Sequence, residues 1–207
     1  MLPGGSPAFA AAGLALVAAL LVAGRALGLP LRSVTGRPGV SAAAAGAAAG
    51  ALLAAASVAL LRLAVPAVTG MPVAYEPLTG IALPELAAHA LVLVPLGVVV
   101  PEELAFRGTL LAALRREHAT ATAIVLSGAA FAAWHVVVVI GTVARTTLAG
   151  SAWSIPAVLI GLIVVFAGGV VLALLRVRTD ALASSIAAHW AYNAFVLVAL
   201  WWTAGRG

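Results

Sequence analysis

The sequence predicts an all-α protein, a polytopic membrane helix bundle of about six transmembrane helices. Three observations carry that prediction. Of 207 residues, 64% are hydrophobic and only 8% are charged, with a mean hydropathy of +1.19; a soluble domain carries roughly a quarter charged residues. The apolar residues fall in runs long enough to cross a hydrocarbon core about 30 Å thick. Eleven Arg, with no Lys, lie mostly between those runs, as topogenic charges do. The net charge of +5 therefore speaks for membrane orientation and not for a nucleic-acid partner. With no Cys, disulfide and thiolate chemistry are excluded.

The whole chain, residues 1–207, reads as a single integral membrane domain. A first span covers about Ala8 to Gly24 and is closed by Arg25. It lacks a positive leading region and a convincing processing site, so it is expected to remain as a span. The loop Leu29 to Pro38 follows, carrying Arg32 and Arg37. The second span, about Val40 to Val65, is rich in Ala and contains Gly46 and Gly50, a four-residue spacing that permits close helix approach. Pro66 to Pro84 reads as a loop or short interfacial piece. The third helix starts near Glu85 and reaches Arg116, with a kink or break expected near Pro101. Further spans are about Ala119 to Ile140, Trp153 to Leu175 and Ala181 to Thr203. Six spans put Arg25, Arg32, Arg37, Arg115, Arg116, Arg176 and Arg178 on one face, against Arg62, Arg145 and Arg206 on the other. By the positive-inside rule the first face is cytoplasmic and both termini lie outside. The expected location is a prokaryotic cell (inner) membrane.

Within the third helix stand Glu102, Glu103 and Arg107, in otherwise apolar sequence. Ionisable groups at membrane depth are costly and mark function by default. Glu103 and Arg107 are four apart on a helix and pair directly. Glu102, rotated about 100° from Glu103, faces elsewhere. One carboxylate is thus held by the arginine while the other points into a cavity, which suits a general base. His135 lies in the fourth span; His189 and Asn193, again four apart, share a face of the last. Counted from the arginine-rich ends of their helices, Glu102 lies about 21 Å deep, His135 about 24 Å, Asn193 about 18 Å and His189 about 12 Å.

These residues resemble the CPBP (CAAX-protease and bacteriocin-processing) family, also called Abi, which includes the type II CAAX prenyl endopeptidases. The family pattern appears here as Glu102-Glu103-x-x-x-Arg107, Phe131-x-x-x-His135 and His189-x-x-x-Asn193, in order. The resemblance covers residues 91–202, a catalytic core. It implies a glutamate-dependent intramembrane endopeptidase acting on a membrane-associated peptide or protein. Glu102 with His135 would activate water, His189 and Asn193 would donate to the oxyanion, and Arg107 and Glu103 would orient Glu102. Donors aimed at developing charge act most strongly where water is excluded. No cofactor is certain; proteins of this kind are also classed as metalloproteases, so a Zn²⁺ or other divalent ion on Glu102, His135 and His189 stays open.

Two other function classes fit the same charges. A proton-coupled transporter would use Glu, Arg and His as a relay, but calls for paired repeats that the sequence lacks. A non-catalytic immunity or scaffold protein would keep the residues without turnover. Serine proteolysis through Ser127 and His189 ranks last, since Val125 stands where a glycine is expected. His89 and His118 read as structural or interfacial, Phe131 and Trp134 as packing, and Ser185 as lining the His189 face.

Overall fold

The computed structural model describes residues 7–37 and 39–204. Pro38 and Arg206 lie outside the described residues. Eight helices are numbered here: α1 (Pro7–Ala26), α2 (Leu31–Thr35), α3 (Val40–Thr69), α4 (Leu83–Glu117), α5 (Thr120–Trp134), α6 (Val136–Val143), α7 (Ser154–Thr179) and α8 (Leu182–Ala204). Five are long and apolar enough to cross a membrane by themselves, and the bent pair α5–α6 counts as a sixth where it forms one broken span. The all-α polytopic bundle is thus the fold. Arg32, Arg115, Arg116 and Arg176 line one cavity at one end of the bundle, where Arg37 pairs with Asp180 and Gly36 bridges to Ala181. At the other end Tyr75 bridges to Thr146, and a short 3₁₀ turn, Glu76–Leu78, seats Leu78 among Leu86, Leu197 and Trp201.

The second half of α4 sits at the centre, against α1, α2, α5, α7 and α8. The kink or break expected near Pro101 is not a break, since residues 83–117 run as one helix, but the helix is irregular on both sides of that proline. Wide π-helical turns occur at His89–Leu93, Pro95–Val99 and Leu104–Leu110. A proline in an α-helix lacks an N–H and presses its ring on the carbonyl four residues back; widening the turn relieves that clash without ending the helix. The fourth span, read from the sequence as about Ala119 to Ile140, is not one straight helix. It bends by 47° at His135, whose φ and ψ are −87° and −1°. No proline or glycine causes this. The His135 ring Nδ1 lies 2.8 Å from the Phe131 carbonyl, which the backbone N–H of His135 also reaches at 3.2 Å. A side chain competing for the helix ladder favours a local departure from α geometry.

Close backbone approach sets the remaining positions. α3 packs along α8 more extensively than any other described pair. A Cβ on Gly46 would fall on the Ser184 carbonyl oxygen, and one on Gly50 on the Ala188 carbonyl oxygen. In lipid, where hydrophobic burial does not drive helices together, such contact is a main source of association. The Gly46–Gly50 spacing is therefore used, and it fixes α8, the helix that carries His189. Gly50→Ala is expected to destabilise the fold by about 1–3 kcal/mol. Gly168→Ala, where a Cβ meets open space, should be neutral or stabilising by up to about 1 kcal/mol. Unfolding in mixed detergent micelles measures both.

Candidate active site

The Leu104–Leu110 turn of α4 places Arg107 in the bundle interior, with 1% of its surface exposed. Its Nη1 donates to Glu103 Oε1 at 3.1 Å and its Nη2 to the Gly169 carbonyl on α7 at 3.1 Å. The guanidinium carbon lies 4.0 Å from the centroid of the Phe131 ring. Ion pair, carbonyl and aromatic face together compensate a charge that would otherwise be untenable at this depth. The glycine matters sterically, because a Cβ on Gly169 would press on Gly128 and on Phe131.

Glu103 is fully buried and its Oε1 also faces His189 Nδ1 at 2.9 Å. An ionised carboxylate only accepts, so Nδ1 carries the proton. Ser185, one turn before His189, is buried, donates to Leu182 O at 3.1 Å and lies within reach of Glu103. The Arg107–Glu103 pair therefore grips His189; neither side chain hydrogen-bonds Glu102, which lies within electrostatic range of Arg107.

Glu102 is placed separately, with 14% of its side chain exposed. Its Oε1 accepts from Trp134 Nε1 at 3.0 Å. Its Oε2 is buried without a hydrogen-bond partner, 3.7 Å from His135 Nε2 and 4.0 Å from His189 Nε2. The His135 ring has Nδ1 against a carbonyl, which cannot donate, so Nδ1 bears the hydrogen and Nε2 presents a lone pair toward Glu102. Phe131 touches both imidazoles, 4.2 Å from His135 and 5.7 Å from His189 between centroids.

Five of the six predicted residues, Glu102, Glu103, Arg107, His135 and His189, thus form one connected group. Asn193 lies one turn beyond His189, half-buried, and its amide makes no side-chain hydrogen bond among the described residues. His189, counted as the shallowest, reaches Glu102. Depth along a helix's own axis ignores tilt and the level at which each helix begins, so the apparent offset disappears on packing. Trp134 was taken as packing but bonds Glu102 while 59% exposed. Its place beside His135 was visible in the sequence, but its reach to a residue thirty-two positions earlier was not. His89 and His118 stay apart from the group. Because Glu103 and Arg107 are both buried, Arg107→Met alone should cost about 3–5 kcal/mol. The double change Arg107→Met with Glu103→Gln should cost less than the sum of the single changes. A double-mutant cycle by thermal unfolding reads this coupling.

A family model for Rce1-like type II CAAX prenyl endopeptidases matches residues 84–195, over half of the chain, from the start of α4 to beyond Asn193. Comparison with curated proteins and with solved structures returns no match. With a family match over this span, and a connected group of buried Glu, Arg and His side chains within it, the chain belongs to the Rce1-like family of type II CAAX prenyl endopeptidases.

Proposed function

We propose that this chain is an intramembrane endopeptidase that hydrolyses a peptide bond of a membrane-associated protein or peptide with water activated by Glu102 and His135. The observation that carries the reading is the buried, partnerless Glu102 Oε2 facing two imidazole Nε2 atoms at 3.7 and 4.0 Å. Those gaps are too wide for direct hydrogen bonds and suit a bridging water. A water donating one hydrogen to Glu102 Oε2 and the other to His135 Nε2 keeps a lone pair free to attack. Trp134 occupies Oε1, which leaves Oε2 as the oxygen that takes the proton. As the oxygen–carbon bond forms, the proton passes to Glu102 and the carbonyl becomes an oxyanion. Asn193 supplies its amide N–H; His189 donates from Nε2 as imidazolium, since Nδ1–H is held by Glu103. Glu102 then returns the proton to the leaving nitrogen as the carbon–nitrogen bond breaks. Arg107 and Glu103 act by holding His189.

A second reading rests on the same donors. Both histidines commit Nδ1–H to an oxygen, as zinc-ligating histidines do, so Glu102, His135 and His189 offer the donor types of a zinc centre. The spacing fits less well. Ligands bound at about 2.1 Å stand about 3.4 Å apart around a tetrahedral ion, closer than the separations at Glu102. No group of three His, Cys, Asp or Glu side chains among the described residues is placed to hold a metal ion. An ion held by Glu102, His135 and His189 would supply Lewis acidity to the attacking water.

The arginine-rich end is assigned to the cytoplasm by the positive-inside rule, with both termini outside. The family's name makes a prenylated CAAX terminus the first substrate to try, beside unmodified membrane peptides. Purified protein with a fluorogenic membrane-peptide library tests the reading. Glu102→Gln and His135→Ala should each lower kcat by about 10²–10⁴-fold with unfolding temperature unchanged. Undiminished cleavage by folded Glu102→Gln would sink the water mechanism. Trp134→Phe, which removes one hydrogen bond to Glu102, should lower kcat about tenfold. Activity that survives a chelator supports the metal-free route. Loss with a chelator and return with Zn²⁺ transfers the same residues to the metal reading.

A further inference from the structure

At the arginine-rich end, a cavity of about 460 Å³ is lined by Arg32, Ser33, Arg115, Arg116, Arg176 and Asp180. Four guanidinium groups thus face a space whose lining holds one carboxylate, and that carboxylate is already engaged. Asp180 pairs with Arg176 at 3.2 Å and with Arg37 at 3.4 Å. Arg32, Arg115 and Arg116 are exposed and form the rim of the cavity, whereas Arg176, at its base, is only 3% exposed. Its Nη2 donates to the Ser33 carbonyl at 3.0 Å, and its Nε is buried with no partner. Arg116 is held by the Leu27 carbonyl at 3.0 Å. The guanidinium groups of Arg32 and Arg115 make no ion pair or hydrogen bond among the described residues. The cavity is therefore a preformed cationic cup with unused donors.

A second recess of about 290 Å³ is lined by Leu21, Val22, Arg25, Leu29, Leu31 and Val34. Segment 29–34 lines both spaces, Arg32 and Ser33 the first and Leu29, Leu31 and Val34 the second. Val22, on α1, is 69% exposed. A cationic cup beside a recess lined by five apolar side chains and Arg25 suits a phosphate ester carrying a hydrophobic tail. Arginine forks bind phosphate oxygens in pairs, and basic pockets between membrane helices take anionic headgroups. We propose that this cup binds the headgroup of an anionic phospholipid, with an acyl chain lying along α1 in the adjoining recess. The bound lipid clamps α2, whose Val34 packs on Leu104 and would meet a Cβ on Gly108, against the turn of α4 that carries Arg107. The proposal is independent of the proteolytic reading.

The full chain, delipidated in neutral detergent, is titrated with phosphatidylglycerol, with phosphatidylcholine and with inorganic phosphate, and unfolding temperature and lipid retention in native mass spectrometry are read. Phosphatidylglycerol should raise Tm by about 4 °C more than phosphatidylcholine does, and millimolar phosphate should not. Arg115→Gln and Arg32→Gln should each weaken phosphatidylglycerol binding about fivefold. Arg178→Gln, the same loss of charge at an exposed position of that end outside the cup, should leave it within twofold. Equal stabilisation by phosphatidylcholine overturns the proposal, as does an equal loss in Arg178→Gln, which would mark general surface attraction. Full stabilisation by phosphate alone overturns the lipid as the source of the phosphate. Arg176 is left unchanged in every variant because it also holds Ser33 and Asp180.

Discussion

One oxygen atom organises the interior. Glu103 Oε1 lies 3.1 Å from Arg107 Nη1 on its own helix and 2.9 Å from His189 Nδ1 on α8. Burying a carboxylate or a guanidinium alone in hydrocarbon is costly, and each is tolerable here only because the other is present. Arg107 extends the network to the Gly169 carbonyl and the Phe131 face, so four helices, α4, α5, α7 and α8, meet around a single charge pair. Any displacement of α8 would expose Glu103 or strip His189 of its partner. The pair thus converts an electrostatic penalty into a positional constraint on the residues beside it.

Glu102 is the complement of that arrangement. It is adjacent in sequence to Glu103 yet makes no direct ion pair with an arginine among the described residues. Its Oε2 has no partner, and its surroundings are two rings whose remaining nitrogens are oriented by other acceptors. The difference arises from the helix: a 100° rotation separates the neighbours, sending one into the packed interface and the other toward the gap at the bend of α5. That bend is itself made by His135, whose ring takes the Phe131 carbonyl. A residue of the group thus creates the irregular backbone that gives the group room, and the irregularity is confined to where protein surrounds it.

Glycine contacts and wide turns supply the tolerance this needs. Gly46 and Gly50 bring α3 onto the backbone of α8, and Gly128 and Gly169 bring α5 onto α7. The interhelical distances that let His189 reach Glu103, and Arg107 reach Gly169, are short because those side chains are hydrogen atoms. In α4 the π-turn from Leu104 to Leu110 changes the angular position of Arg107 while the helix continues, which a regular α-helix cannot do.

By itself the sequence determined the fold class, the approximate number of candidate crossings, the arginine-rich end and the three motifs that supply the group's residues. Hydropathy and charge set the first three directly, because lipid admits few alternatives. The Glu103–Arg107 pair was equally legible, since i,i+4 geometry is local. Only the tertiary structure decided that Arg107 and Glu103 hold His189, that Trp134 holds Glu102, and that Asn193 keeps its amide free of a side-chain bond. It alone placed the bend at His135 and kept α4 unbroken through two prolines. Those outcomes depend on helix tilt, on rotation about each axis and on competition for single carbonyl groups. Such quantities are settled by packing between segments far apart in the chain, and periodicity within one helix carries no record of them.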